Sequence, residues 1–162
     1  MNSVAIALGS NVGDRAAHLQ FAIDRLRSVL TNFQQSAHVD TAPVGVVEQP
    51  RFLNGVVTGD TALTARALLD RLLAIERERG RARPHPGAPR TLDLDLVLFG
   101  DAVIAEAGLA VPHPRFRERL FVLEPLSEIA PDTVDPVTGH TVAELLNALR
   151  QRASAASSSA SR

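Results

Sequence analysis

Two aspartates one residue apart, Asp93 and Asp95, lie in the run Arg90-Thr91-Leu92-Asp93-Leu94-Asp95-Leu96-Val97-Leu98-Phe99. Every second residue from Leu92 is leucine, the pattern of a half-buried strand. Leu92, Leu94, Leu96 and Leu98 are therefore expected on one face, and Thr91, Asp93, Asp95, Val97 and Phe99 on the other. Carboxylates two residues apart on one face sit roughly 6.5–7 Å from each other and repel unless a cation lies between or beyond them. A metal ion is the natural occupant. The same pattern also arises as a solvated strand face whose charges discourage edge pairing. Here Val97 and Phe99 keep the face only partly wet, which points to acids on the floor of a cleft.

Immediately upstream runs Arg81-Ala82-Arg83-Pro84-His85-Pro86-Gly87-Ala88-Pro89-Arg90, the most basic stretch of the chain. Its prolines and glycine exclude helix and central strand, so the arginines ride on an extended loop that opens onto the acids. Guanidinium groups grip phosphate oxygens bidentately, and a carboxylate-held metal bridges those same oxygens. The pairing reads as polyphosphate chemistry; taken alone, the loop reads equally as a solvated charged segment. Downstream, His113 is fixed between Pro112 and Pro114, followed by Arg115, Arg117, Arg119 and the aromatic Phe121. A lone histidine also serves purely structural ends. Asn54, in the apolar run Phe52–Thr58, offers a donor and an acceptor suited to the amide edge of a flat heterocycle, or to a neighbouring loop.

The elements that must position these groups follow from periodicity. Val4 to Leu8 reads as a buried strand ending in Gly9-Ser10-Asn11-Val12-Gly13-Asp14, whose glycines are read as a tight turn. The stretch fits neither a G-x-x-x-x-G-K-[ST] nor a G-x-G-x-x-G phosphate loop. Asp14 caps a helix expected to about Thr31, with Leu19, Ile23 and Leu26 on its apolar stripe. Phe33 to Val39 is weakly strand-like, and a long connection over 41–50 precedes the strand from Phe52. Thr64 caps a second helix on Leu68, Leu69, Leu72 and Ile75, closed at Gly80. Short helices are expected over 123–129 and, capped by Thr141, over 142–149; the Ala/Ser-rich end, 151–162, is expected as a flexible tail beyond a single domain of 1–150. The order is βαββαβ, the ferredoxin-like α+β sandwich: an antiparallel sheet with its helices on one face and the other open for ligand, plus extra short C-terminal helices.

At 162 residues, with 45% apolar residues, one core-forming domain is expected. Seventeen basic and 18 acidic residues balance, so nothing global draws the chain to nucleic acid or an anionic membrane. The absence of cysteine excludes disulfides and thiolate zinc sites. No apolar run is long enough to span a bilayer, and the start lacks a secretory pattern, so a cytoplasmic protein is expected, as a monomer. A binding module on the same fold is the rival class; an RNA-binding sheet, however, displays aromatics in a basic setting, and this one carries acids, no Tyr and no Trp.

Six segments occur in one order: Gly9-Ser10-Asn11-Val12-Gly13-Asp14, Thr41-x-Pro43-Val44-Gly45, Gln49-Pro50-x-Phe52-Leu53-Asn54, Glu76 with Gly80-Arg81-x-Arg83, Pro89-Arg90-Thr91-Leu92-Asp93-Leu94-Asp95, and Val111-Pro112-His113-Pro114-Arg115. Together they resemble the 6-hydroxymethyl-7,8-dihydropterin pyrophosphokinase family of folate biosynthesis, over about Val4 to Pro131. The resemblance implies transfer of diphosphate from MgATP to the pterin hydroxymethyl group with release of AMP. It implies two Mg²⁺ ions held by Asp93 and Asp95. It further implies pterin contacts at Thr41, Pro43, Val44, Phe52, Asn54 and Phe121, and nucleotide contacts at Glu76, Arg81, Arg83, Arg90, His113 and Arg119, with Arg81 and Arg90 among the catalytic residues. Members commonly carry a longer basic loop with a tryptophan, which 84–89 lacks.

Overall fold

The computed structural model describes residues 1–41, 51–80 and 91–160; the expected site residues Pro43, Val44, Arg81, Arg83 and Arg90 lie outside them. The first strand, β1 (Asn2–Ser10), alternates large and small side chains. Its large set, Val4, Ile6 and Leu8, enters a core with Leu19 and Leu26 of α1 (Arg15–Arg27) and Leu68 and Leu72 of α2 (Ala65–Glu78). Its small set, Ala5, Ala7 and Gly9, faces the opposite way.

β2 (Thr31–Gln35), β3 (Val39–Thr41), β4 (Phe52–Thr61) and β5 (Asp93–Phe99) complete an antiparallel sheet of order β2-β4-β1-β5, with β3 also paired to β4. This is the ferredoxin-like order with the second strand divided into β2 and β3. The break falls at Ser36, whose N–H donates to the Val56 carbonyl while its hydroxyl accepts from Val56 N–H, both at 2.9 Å.

Helix starts follow local chemistry. Asp14 Oδ1 accepts from Ala17 N–H and Thr64 Oγ1 from Ala67 N–H, both at 3.1 Å. Thr141 and Glu144 close a reciprocal capping box at 2.9 and 3.2 Å. The first helix stops at Arg27, short of the expected Thr31, because Ser28 bonds back to the Arg25 carbonyl at 2.7 Å and Thr31 is already in the sheet.

Three expectations are corrected. First, the face expected to be open is covered along much of its length: α3 (Leu120–Ile129) and α4 (Val142–Ala160) bury Leu123, Leu126, Val142 and Leu146 against Ala5, Val56 and Val97. Second, the alternation of β5 breaks. Ala5 pairs with Leu98 but Ile6 with Leu96, so Val97 is an extra residue, a bulge. The slip turns Leu98 to the α3–α4 side beside Val97, and Phe99 into the α1–α2 core, the reverse of the expected assignment for both. Asp93 and Asp95 lie before the bulge and keep their shared face. Third, the helix runs on to Ala160, through residues expected as a tail. Residues 151–156 of this extension are exposed, and their alanines favour helix without any packing.

A buried ion pair ties the second layer together. Asp135, with no exposed side-chain surface, receives both Nε and Nη2 of Arg117, the latter at 2.8 Å, plus Thr138 Oγ1 and Val137 N–H. Burial pushes the Asp135 carboxyl up, but these hydrogen bonds and the Arg117 charge outweigh it and hold the group at about 2. Arg117 is thus committed to the fold, unlike its neighbours Arg115 and Arg119.

Candidate active site

Paired residues of an antiparallel sheet share a face. Asn54 of β4 stands opposite Gly9 of β1, which stands opposite Asp93 of β5. Two residues along, Val56, Ala7 and Asp95 form a parallel row. At the ordinary strand spacing Asn54 and Asp93 are about 10 Å apart across a residue with no side chain. One flat heterocycle with a short substituent bridges such a gap. A Cβ on Gly9 would lie 3.0 Å from Asn54 Oδ1 and 3.7 Å from Phe52 Cδ1, so the close approach of these side chains depends on glycine there. The expected tight turn is made by Gly13, at φ +71°, whereas Gly9 is inside the strand.

Around this hollow the acid-bearing face collects most of the described pterin candidates. Asn54, 6% exposed, donates to Thr41 Oγ1 at 2.7 Å, which orients the amide and uses one of its hydrogens. Thr41 pairs with Phe52, on the same face. Phe121, in the first turn of α3, packs over the same layer as Ala7, with the Arg119 guanidinium carbon 5.6 Å above its ring.

The other half of the site forms along the free edge of β5. Glu76 reaches the edge from α2 and accepts the Leu94 N–H at 2.8 Å, between the two aspartates. It is only 3% exposed, part of the buried stripe of α2. From there it braces the strand that carries Asp93 and Asp95. The Val97 bulge has a similar effect on the far side, since its carbonyl accepts the His113 N–H at 2.8 Å and fastens His113 next to the strand.

His113 Nδ1 accepts the Arg115 N–H at 3.1 Å, so the neutral ring carries its proton on Nε2. Burial pulls its pKa below the ordinary value; Asp95 opposes this, and Arg119 and Arg115 add to it. The ring is thus a neutral donor at pH 7, within the fields of Asp95 and two arginines.

A cavity of about 280 Å³ opens here, lined by Leu69 of α2, Asp95 and Leu96 of β5, His113, and a hairpin made by β6 (Ile104–Glu106) and β7 (Leu109–Val111). That is slightly smaller than pockets enclosing a whole drug-sized ligand, roughly 300–1,000 Å³. It is large enough for a planar group the size of a nucleobase. The hairpin was not among the expected site elements. Its sequence signal is the Ala107-Gly108 turn between two short runs, with Gly108 at φ +75°.

The donor set fits Mg²⁺. Asp93 and Asp95 carry half-buried hard-oxygen donors on one face, and among the described residues no group of three or more acids, histidines or cysteines is arranged to hold an ion. Two carboxylates, with the remaining positions left to phosphates and water, is how Mg²⁺ is held in phosphoryl-transfer sites rather than in all-protein cages.

Sheet order, covering helices and a two-carboxylate hollow define an α+β domain of the ferredoxin-like type with its site on the sheet. A crystal structure of wild-type Plasmodium falciparum HPPK-DHPS is similar in fold, with a TM-score of 0.75 at 14% identity over 93% of this chain and 45% of that one. The chain belongs to the 7,8-dihydro-6-hydroxymethylpterin-pyrophosphokinase (HPPK) family, whose model matches residues 5–131. Among its relatives are proteins named 2-amino-4-hydroxy-6-hydroxymethyldihydropteridine pyrophosphokinase. That of Pseudomonas aeruginosa is 43% identical over 90% of this chain and 90% of its own length. That of Methylorubrum extorquens is 41% identical over 90% and 92%, and that of Bacillus subtilis is 46% identical over 80% and 79%. Among the described residues no helix is long and apolar enough to cross a membrane.

Proposed function

We propose that this chain transfers diphosphate from MgATP to the hydroxymethyl group of 6-hydroxymethyl-7,8-dihydropterin, releasing AMP and the dihydropterin diphosphate, a step of folate biosynthesis. The observation that supports the reading is the row Asn54–Gly9–Asp93, an amide and an acid on one face of the sheet with a glycine between them. Beside it, the cavity at Asp95 and His113 accommodates a nucleobase.

In this reading Asn54, oriented by Thr41, reads the amide edge of the pterin, with Pro43 and Val44 beside it and Phe52 and Phe121 against the ring faces. Arg119 and the Nε2–H of His113 meet the polyphosphate, joined by Arg81, Arg83 and Arg90. Two Mg²⁺ ions bound by Asp93 and Asp95 would neutralise the phosphates and make the hydroxyl more acidic. The residues then contribute in-line positioning and a preorganised field, which is most of what such a transfer requires from protein. Glu76 contributes by holding the Leu94 N–H and with it the aim of both aspartates. Residues 1–150 act as one catalytic domain, with 151–162 outside it, and the enzyme works as a cytoplasmic monomer.

Incubation with MgATP and the dihydropterin tests the reading. One AMP is expected for each dihydropterin diphosphate formed, with no ADP. ADP as the nucleotide product, or no reaction with the dihydropterin, overturns it.

A further inference from the structure

The β6–β7 hairpin walls the cavity at Asp95 with Glu106, Gly108, Leu109 and Ala110, yet among the described residues it is a separate two-stranded sheet. Its strands are three residues each, too short to hold a shape alone. Leu109 and Val111 root its base in the core, leaving the tip outside.

The tip is held from the start of α2. Arg66 Nη2 donates to Glu106 Oε2 at 3.0 Å and to the Ala107 carbonyl at 3.2 Å. Arg66 Nη1 is 3.8 Å from the position of a Cβ on Gly108, so the same group also overlies Gly108. One guanidinium thus bonds Glu106 and Ala107 and lies near Gly108; Glu106 and Gly108 line the cavity.

We propose that Arg66 is a positioning residue for the nucleotide: it clasps the hairpin tip in the form that walls the base cavity. This rests on reading that cavity as the nucleotide site. Without the clasp, an incoming nucleotide must order the tip itself, and that cost falls on affinity rather than on the chemical step. The ion pair is exposed and weak alone. The bond to the Ala107 carbonyl makes its effect local and geometric.

The test is titration of the Mg²⁺ complex of a non-hydrolysable ATP analogue into the wild type, Arg66→Ala, Glu106→Gln, the double variant and Arg71→Ala, an exposed arginine of the same helix. Kd is expected to rise about three- to tenfold in Arg66→Ala, less in Glu106→Gln, which keeps the carbonyl bond, and no further in the double variant than in Arg66→Ala. Arg71→Ala should bind as the wild type does. Arg66→Lys, which keeps the charge but not the forked geometry, should fall between. In turnover, Arg66→Ala should raise KM for ATP while leaving kcat and the KM for the dihydropterin unchanged. Unchanged affinity in Arg66→Ala, additive losses in the double variant, an equal loss in Arg71→Ala, or a fall in kcat overturns the proposal. Failure of the wild type to bind the analogue would instead overturn the reading of the cavity itself.

Discussion

Asp93 and Asp95 differ from the exposed acids of the surface because they are half-buried and their strand is braced on both sides: Glu76 holds the Leu94 N–H and the Val97 carbonyl holds His113. Replacing either aspartate by asparagine keeps the shape and removes the charge. Activity should then fall at least about a hundredfold, since metal-assisted charge stabilisation is worth several kcal/mol, while the thermal midpoint stays near that of the wild type. A steady-state assay alongside a melting curve checks this. Gly9 makes a different residue-scale prediction. In Gly9→Ala the new Cβ would be 3.0 Å from Asn54 Oδ1, so the amide must shift from its aim across the hollow. KM for the dihydropterin should rise severalfold while KM for ATP is unchanged; equal effects on both would mean that Gly9 serves the strand rather than the hollow.

At the scale of elements, β5 is the edge strand on which the site is laid. Its outward Leu94 N–H would be costly if left bare, and α2 covers it with the buried Glu76 carboxylate. Glu76→Ala strands that donor, so a loss of roughly 1–3 kcal/mol in unfolding free energy is expected, together with lower kcat as the aspartates lose their aim. Glu76→Gln, whose Oε1 still accepts the N–H, should recover much of the stability. Urea unfolding of the three proteins separates these outcomes. Much of this layer was readable in advance because it is local. Asp14, Thr64 and Thr141 cap helices through their own first turns, and the leucine stripe of 68–75 announces α2. The bulge at Val97 was not, because it is set by pairing with Ala5 and Ile6, more than ninety residues away in the chain. For the same reason Gly9 looked like a turn residue: its place is set by its partners Asn54 and Asp93 across the sheet.

For the whole molecule, the Arg117–Asp135 pair links the Phe116–Glu118 3₁₀ turn, which follows His113, to the segment leading into α4. The folded-state pKa of Asp135, about 2, lies below its ordinary 3.8. The lowered value stabilises the fold above about pH 4, and that contribution disappears as pH falls towards 2. The shift is worth roughly 2 kcal/mol, so wild-type stability should decline between about pH 4 and pH 2, the window between the two pKa values, more steeply than that of Asp135→Asn. That variant should also be less stable at pH 7, by about 3–5 kcal/mol if the remaining Arg117 charge stays buried. Denaturation at several pH values reads both effects. The βαββαβ order, its ferredoxin-like sheet and the acid-bearing face were legible in the sequence because strand and helix periods are written locally. The burial of part of that same face by α3 and α4 was not, because the packing of α3 is decided by the small side chains of Ala5 and Ala7 against which the layer closes.

The claim beneath all of these is that Asp93 and Asp95 hold the metal on which polyphosphate binding depends. Calorimetric titration of a non-hydrolysable ATP analogue, with and without Mg²⁺, into the wild type and Asp95→Ala measures it directly. Binding by the wild type should require Mg²⁺, and Asp95→Ala should lose most of that requirement together with most of the affinity. Wild-type binding that is indifferent to Mg²⁺, or an unaltered Mg²⁺ dependence in Asp95→Ala, would contradict it.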